Sequence, residues 1–356
     1  MTIAVIGIGA LSLSIVGQFA LSGCDVKYFN LEKGAKSCKN REITFSGVIN
    51  SKVNFEQITE GFDSLPDCEV IAIALMPSFY DSLFSQIIKY IQPNQKIIFF
   101  PASFGALIFK NRIQTEKPNI LNSITILEAV SYPWVCSLLN KNLVFVHSIK
   151  NKLGLAVWPN CSARQEVAFF NSYFSIFYLA KNFLETSLNN INMVLHPLPV
   201  LLNLGSIERK CDFFRHYIDG ISLTVGQMLE EIDEERISIG NAFGISLTPT
   251  LEQLKSYYGD FNCNTIQQYV NRLDGPYPNV KGFGLKSRYI VEDVPCLLVP
   301  AKNLAAIGNI KTPMMDLCIE IANHANHICY QQEGFNSVNL GLDNMSLKQI
   351  SEVINN

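Results

Sequence analysis

Charge is scarce in this chain, and charge of one sign is nowhere concentrated. Only 17% of the 356 residues are charged, and 28 Lys and Arg against 31 Asp and Glu leave a net charge of −3. A nucleic-acid-binding protein usually shows a basic patch, so we expect no nucleic-acid partner. Hydrophobic residues make up 48% of the chain, which excludes the composition of a disordered protein.

Two further absences narrow the class of protein. The ten cysteines are scattered and form no C-x-x-C pair, which argues against a zinc ribbon or a disulfide framework and for packing residues. No run of about 18 uninterrupted apolar residues occurs, and the apolar segment 1–20 lacks the basic start of a secretory signal. We therefore expect a cytoplasmic protein with no membrane partner.

A glycine-rich turn follows the first β-like run and opens a helix. Gly7 permits a tight turn, and Gly9 lets the backbone approach a pyrophosphate. Ala10 and Leu11 begin the helix whose N-terminus would face that anion. Ser12 stands where Gly or Ala is usual, but strand, turn, helix and second strand are all in order. The turn therefore predicts a dinucleotide-binding site.

The first half alternates strand-like and helical segments, whereas the second half is helical. Apolar β-like runs lie at residues 2–6, 26–29, 70–76, 96–100, 124–127, 143–147 and 153–157. Helical apolar spacing follows at residues 162–181, 185–202 and 222–243. This order predicts an α/β chain with a mostly parallel sheet. We expect an N-terminal Rossmann-like dinucleotide-binding domain over residues 1–180, followed by a mostly α-helical catalytic or substrate domain over residues 181–356.

The residue that ends the second β-like run bears on the choice of cofactor. Asn30 takes the position where an acidic residue would bind the ribose 2′-hydroxyl and repel a 2′-phosphate. Lys33 and Arg41 follow, although Glu32 partly offsets their charge. A solvated loop is the alternative. We predict that NADP(H) is slightly preferred over NAD(H).

A histidine at a helix break is the strongest candidate for acid–base chemistry. Asn192 and His196 share one helix face, and Pro197 then ends or kinks that helix. Arg288 and Asp293 lie together in the segment RYIVEDVP, where a guanidinium could hold a carboxylate and an acid could orient His196. Taken alone, the two features also fit a structural histidine and a surface ion cluster.

Three segments together resemble the opine dehydrogenases of the octopine/nopaline dehydrogenase type. They are SLNNINMVLHPLPVLLN at 187–203, KSRYIVEDVPCLLVP at 286–300 and EAVSYPWVC at 128–136. The resemblance implies NAD(P)H-dependent reductive condensation of an α-keto acid with the amino group of an amino acid. It places the catalytic histidine at His196, its acidic partner at Asp293 and the carboxylate-binding arginine at Arg288. Glu128 and Asn192 complete the candidate substrate-binding residues.

The same resemblance implies expectations about the pKa of His196 and about the substrate. Asp293 would fix the tautomer of His196 and raise its pKa by stabilising the imidazolium. Ala129 and Ser137 depart from the Thr and Arg that are usual in the family, so ordinary opine substrates are not assumed. The sequence names neither the amino acid nor the keto acid, and it leaves a homodimer open.

Other chemistries remain as alternatives. A simple 2-keto acid reductase of the ketopantoate reductase type would need no amine, and a non-catalytic NAD(P)H-sensing protein would need no substrate. His324 and His327 are three apart and could hold a metal. Because no third ligand is near in sequence, a solvated helix face is favoured and no metal site is expected.

Overall fold

The structure is a computed structural model that describes residues 1–209 and 214–355. Its contacts divide the chain into two compact units, Met1–Thr186 and Ser187–Asn355. Within these described ranges, no helix is both long and apolar enough to cross a membrane. The nine described cysteines are free thiols, and Cys211 lies outside the described residues.

The first unit is built on one 11-stranded sheet, which confirms the predicted α/β fold. Its strands are β1 (Thr2–Gly7), β2 (Asp25–Asn30), β3 (Cys38–Gly47), β4 (Ser51–Ile58), β5 (Val70–Ala74), β6 (Lys96–Phe99), β7 (Thr125–Ala129), β8 (Trp134–Asn140), β9 (Leu143–Ile149), β10 (Leu153–Trp158) and β11 (Phe177–Leu179). The sheet order is β11-β10-β7-β6-β5-β1-β2-β4-β3-β9-β8. Only the pairs β3–β4, β7–β10 and β8–β9 are antiparallel among these strands.

The helices of the first unit pack around this sheet. They are α1 (Gly9–Leu21), α2 (Tyr80–Ile87), α3 (Gly105–Glu116), α4 (Pro118–Leu121) and α5 (Ala163–Phe174), and α6 (Phe183–Leu188) contains the boundary with the second unit. All five residues of β5 are buried, as expected of a strand that is covered on both faces.

The sequence prediction omits β8 and differs from the structure in two further places in this unit. The antiparallel hairpin β3–β4 was not predicted, because much of its polar face is exposed and breaks the apolar run. The helix predicted over residues 162–181 is too long. It ends at Phe174, Ser175 adopts a φ of 56°, and Phe177 belongs to β11 instead.

The second unit is mostly helical, as predicted. Its helices are α7 (Asn192–Leu195), α8 (Pro197–Leu202), α9 (Leu204–Glu208), α10 (Leu223–Ala242), α11 (Thr250–Tyr258), α12 (Ile266–Val270), α13 (Arg288–Val291), α14 (Val299–Ile307), α15 (Pro313–Asn326), α16 (Tyr330–Glu333) and α17 (Leu347–Asn355), and a π-helical turn spans Val294–Leu298. Ser222 caps α10 by accepting a hydrogen bond from the Val225 N–H at 3.3 Å.

The two histidines near the end of α15 do not continue one helix face. The helix ends at Asn326, and His327 follows it with a φ of 54°. Among the described residues, no group of three His, Cys, Asp or Glu side chains is arranged to hold a metal ion.

Candidate active site

The predicted dinucleotide turn joins β1 to α1. Gly9 has a φ of 74°, in the region that favours glycine, and a Cβ there would meet nothing within 4 Å. At Gly7, by contrast, a Cβ would lie 2.4 Å from the Ala74 carbonyl oxygen. No described side chain caps the start of α1, where Ala10 and Leu11 form the first turn. An open, uncapped helix N-terminus over a glycine turn fits a pyrophosphate.

Ser12 fits the turn although it departs from the glycine motif. Its Cβ packs so closely that a Cβ on Gly7 would lie 2.4 Å from it. The Ser12 hydroxyl donates to the Gly9 carbonyl at 2.9 Å and lies 2.8 Å from the Tyr28 hydroxyl. Burial raises the pKa of Tyr28 to about 12, so this phenol stays protonated. Ser12 therefore ties α1 to β2 without blocking the turn.

Asn30 ends β2 with its side chain held by neighbours. Its Nδ2 donates to Gln57 Oε1 at 3.2 Å, and its Oδ1 accepts from the Glu32 N–H at 3.0 Å. Arg41 donates to the same Gln57 oxygen and to the Lys141 carbonyl at 2.7 Å. Lys33 is exposed in the turn that follows β2. Gln57 Oε1 therefore accepts hydrogen bonds both from Asn30 and from the guanidinium of Arg41.

Glu128 is buried in β7, where the first unit itself satisfies its carboxylate. Oε1 accepts from the Thr186 hydroxyl at 2.8 Å, and Oε2 accepts from the Ala106 N–H at 3.1 Å. Because Ala106 lies in the first turn of α3, Glu128 caps that helix. The structure thus gives Glu128 a structural role, and its contact with an amino-acid substrate stays a prediction.

His196 lies at a break between two helices, as Pro197 predicts. α7 ends at Leu195 and α8 begins at Pro197. Asn192, also a candidate, opens α7 and is half-buried. Its carbonyl accepts the His196 N–H at 3.1 Å, so the structure links the two through the backbone, and a substrate contact of Asn192 stays a prediction.

The His196 ring is enclosed by three side chains of the second unit. Nδ1 lies 2.7 Å from Asp293 Oδ2, and Nε2 lies 3.2 Å from the Tyr217 hydroxyl. The face of the ring stacks on Tyr289 with 3.7 Å between ring centroids. The His196 side chain is only 6% exposed and that of Asp293 only 1%. The predicted pair of His196 and Asp293 is therefore assembled in the structure.

Two buried carboxyl groups share the positive charge of Arg288. Burial raises the pKa of Asp293 and that of Glu292, each to about 7, while Arg288 lowers both. Asp293 raises the pKa of Glu292 further, and Glu292 Oε2 has no hydrogen-bond partner among the described residues. The pKa values of these adjacent carboxyl groups are therefore raised and depend on each other, so the two groups titrate as a unit.

The expected direction of the His196 pKa shift is wrong. Burial lowers the pKa of His196, and the charge of Arg288 lowers it further. The physical reason is that burial penalises the imidazolium and also keeps Asp293 from being fully ionised near neutral pH. His196 therefore starts as a neutral imidazole that can accept a proton.

Tyr217 and His216 were missed by the sequence analysis. His216 is fully buried, and its Nε2 lies 3.0 Å from the Leu195 carbonyl, so it holds the backbone that precedes His196. Burial lowers the pKa of His216 to about 3, and His196 adds to this effect. Neither residue belongs to a motif, since both lie 20 or 21 residues after His196 in a stretch without helical periodicity. Their adjacency to each other is the one signal that the sequence offers.

Comparison with known proteins supports the family resemblance. Residues 179–326 match the family described as NAD/NADP octopine/nopaline dehydrogenase, alpha-helical domain. The chain is 28% identical to the opine dehydrogenase of Arthrobacter sp. (strain 1C) over 362 residues, which covers 99% of this chain and 98% of that protein.

Two solved structures have a similar fold. Octopine dehydrogenase with NADH and L-arginine matches with a TM-score of 0.74 at 16% identity, over 98% of this chain and 97% of that chain. Yersinopine dehydrogenase with NADP+ matches with a TM-score of 0.73 at 14% identity, over 99% of this chain and 97% of that chain. The chain thus resembles the opine dehydrogenases along its whole length, carries a match to their helical domain, and is an NAD(P)-dependent oxidoreductase.

Proposed function

We propose that this chain joins an α-keto acid to the amino group of an amino acid and reduces the resulting imine with NAD(P)H. The observation that carries the proposal is the buried pair of His196 and Asp293, 2.7 Å apart, beside the charge of Arg288. This pair lies within the part of the chain that matches the helical domain of the octopine/nopaline dehydrogenases.

Each residue of the pair has a chemical task. Condensation needs a base and an acid, because the amine loses a proton and the carbinolamine hydroxyl leaves as water. A neutral His196 accepts and returns these protons, while Asp293 at Nδ1 compensates the transient imidazolium. Arg288 would bind the carboxylate of the keto acid through its guanidinium fork. The nicotinamide cofactor, when bound, supplies the hydride that reduces the C=N bond.

The cofactor residues we propose are Gly7, Gly9, Ala10 and Leu11 for the pyrophosphate, with Asn30 and Lys33 near the adenosine ribose. We also propose a slight preference for NADP(H). Arg41 supports it, because this guanidinium and Asn30 donate to the same Gln57 oxygen. Replacing Asn30 with Asp should weaken NADPH binding relative to NADH, as measured by fluorescence titration of both cofactors. An unchanged ratio of the two dissociation constants would contradict the preference.

The domain roles complete the proposal. The cofactor would bind the domain over residues 1–180, and the amino acid and keto acid would meet the domain over residues 181–356. Cytoplasmic location stays a prediction from composition, and a homodimer stays open.

The direct test of the site is His196→Ala. This variant should lose turnover while it retains dinucleotide binding, because the histidine lies in the second unit and moves protons only. His324→Ala is the matched control, since His324 is exposed on α15 and should leave turnover unchanged. Undiminished turnover of His196→Ala would refute the assignment of the site.

The substrate pair is found with a grid of amino acids against keto acids, followed by NADPH and NADH oxidation. The mass of the product should equal that of a secondary amine formed from both substrates with loss of water and gain of two hydrogens. Omitting the amine separates the alternatives. Cofactor oxidation by the keto acid alone would indicate a reductase of the ketopantoate type, and no turnover with any pair would favour a redox sensor.

A further inference from the structure

The nitrogen of His196 that faces away from Asp293 is already occupied. Tyr217 places its hydroxyl 3.2 Å from His196 Nε2, and Tyr289 covers a face of the imidazole at 3.7 Å between centroids. Since Nδ1 faces Asp293 at 2.7 Å, each polar atom of the ring has a partner. A substrate that exchanges a proton with His196 must therefore either displace the Tyr217 hydroxyl or use it.

The position of Tyr217 is fixed by contacts on several sides. Its side chain is 3% exposed, and its ring stacks on Tyr277 with 4.3 Å between centroids. The Asn271 side chain donates to the Tyr217 carbonyl at 2.6 Å, which holds the backbone. A substrate that displaced this hydroxyl would have to move a ring that is held by stacking and by its own backbone.

We propose that Tyr217 relays protons between His196 and the substrate. When the substrate gives up a proton, the Tyr217 oxygen accepts it while the Tyr217 hydroxyl proton passes to His196 Nε2. The O–H bond on one side forms as the O–H bond on the other side breaks, so Tyr217 stays neutral and His196 becomes the cation. The reverse transfer returns the proton to the leaving hydroxyl. The inference rests on the proposed function, because it assigns a path to that reaction's protons.

The surrounding charges favour a concerted relay over a stored tyrosinate. Burial raises the pKa of Tyr217 well above its usual value, the neighbouring Tyr289 and Tyr258 raise it further, and Arg288 lowers it. A stable tyrosinate is therefore disfavoured, and the two proton transfers must be coupled. The other titratable groups near His196 are Asp293, Glu292 and His216.

Tyr217→Phe tests the relay because it removes the hydroxyl and keeps the ring that stacks on Tyr277. We expect kcat to fall roughly 100-fold, the lower part of the range for general acid–base catalysis, with KM values and dinucleotide affinity nearly unchanged. The dependence of kcat on the deuterium fraction in mixtures of H₂O and D₂O should also change. Transfer of two protons in one step makes this dependence curved in the wild type, whereas transfer of one proton makes it linear in the variant.

Tyr269→Phe is the matched control. The Tyr269 hydroxyl is equally buried, but it donates to the carbonyls of Leu254 and Gly259 at 2.9 and 2.8 Å, away from His196. Its loss should lower the melting temperature and leave kcat and the isotope dependence as they are. A comparable fall of kcat in both variants would reduce the role of Tyr217 to general packing and overturn the relay.

A measurement without turnover separates the relay from the reaction. The ¹⁵N chemical shift of His196 Nε2 should move in Tyr217→Phe, because its hydrogen-bond partner is gone, and should stay in Tyr269→Phe. An unmoved shift overturns the relay whether or not a substrate pair has been found. If Tyr217→Phe matches the wild type in kcat while His196→Ala is inactive, the relay fails and the proposed function stands.

Discussion

Two buried ionic clusters in the second unit differ in how fully their polar atoms are satisfied. The Arg236 cluster consists of Arg236 and Asp233 of α10 with Asn189 and Thr250. The His196 cluster consists of His196, Asp293, Glu292, Arg288 and Tyr217. Both consist mostly of buried side chains, yet only the second contains a carboxylate oxygen that lacks a hydrogen-bond partner among the described residues.

The Arg236 cluster is saturated with hydrogen bonds. Arg236 is fully buried and donates to Asp233 Oδ1 at 2.8 Å, to Asn189 Oδ1 at 2.9 Å and to the carbonyls of Leu188 and Thr248 at 3.0 and 2.6 Å. Asp233 accepts twice from Thr250, at 2.8 and 2.6 Å. A guanidinium and a carboxylate with this many partners fasten α10 to two other segments.

The His196 cluster contains two carboxyl groups whose pKa values are raised. Burial raises the pKa of both Asp293 and Glu292 to about 7, and Glu292 Oε2 has no partner among the described residues. A site whose groups are buried without being fully compensated sits close to its protonation equilibrium, which suits acid–base chemistry. Burial alone therefore does not distinguish the two clusters, whereas the unpartnered Glu292 oxygen and the raised pKa values of Glu292 and Asp293 do.

The largest effect on the free energy of unfolding is expected for a substitution in the Arg236 cluster. Arg236→Met leaves Asp233 buried without its cation, so the free energy of unfolding should fall by about 3–5 kcal/mol, as measured by urea denaturation. Arg215→Met is the control, because Arg215 pairs with Asp219 at the surface and its loss should change little. Equal effects of the two variants would erase the distinction between the clusters.

Arg288→Met should, by contrast, affect substrate binding more than the free energy of unfolding. The fold should persist, while KM for the keto acid should rise roughly 10- to 100-fold from the loss of charge-assisted hydrogen bonds. Because Arg288 lowers the pKa of Asp293, Glu292 and His196, the pH profile should also move to higher pH. A profile that stays in place would show that Arg288 does not set the charges of the cluster.

Glu292→Gln tests how much the unpartnered carboxyl group of Glu292 lowers the free energy of unfolding, and how this effect depends on pH. A raised pKa means that the folded state binds more protons than the unfolded state between pH 4.5 and about 7, so Glu292 lowers stability as pH rises through this window. The variant should therefore gain on the order of 1–3 kcal/mol relative to the wild type at pH 8, and little at pH 4. A stability difference that is constant with pH would contradict the raised pKa.

Thr250→Val is the smallest of the four changes. It removes the hydroxyl that donates to Asp233 at 2.6 Å, while Asp233 keeps its bonds from Arg236 and from the Thr250 N–H. We expect a loss of about 1 kcal/mol in the free energy of unfolding, without a change in kcat. An effect as large as that of Arg236→Met would mean that the cluster behaves as one cooperative unit.

The sequence predicts local features of the two clusters better than their contacts. Pro197 predicts the helix break at His196, because proline has no backbone N–H to donate within its own helix. Arg236 falls on the apolar stripe of α10 between Ile232 and Ile239, where helical periodicity predicts a buried hydrophobic residue. Its partner Asn189 lies 47 residues away, and no local pattern encodes that distance.

The same limit applies to the candidate site. Family resemblance pairs His196 with Asp293 across 97 residues, a contact that spacing alone does not give. It does not indicate Tyr217, and the direction that it implies for the His196 pKa shift is wrong, because both depend on burial by segments that meet only in the folded chain. The sequence does not predict the hairpin β3–β4 either, because its exposed polar face breaks the apolar run.

The single arginine shared by two buried carboxyl groups links ligand binding to the proton concentration. Arg288 lowers the pKa of Glu292 and of Asp293. An anion bound by Arg288 would cancel part of this effect, so the carboxyl groups would take up protons from solvent as it binds. Calorimetric titration in buffers of different ionisation enthalpy would measure that uptake, and the affinity for an anionic substrate would increase as the pH falls to about 7 from above and level off at lower pH.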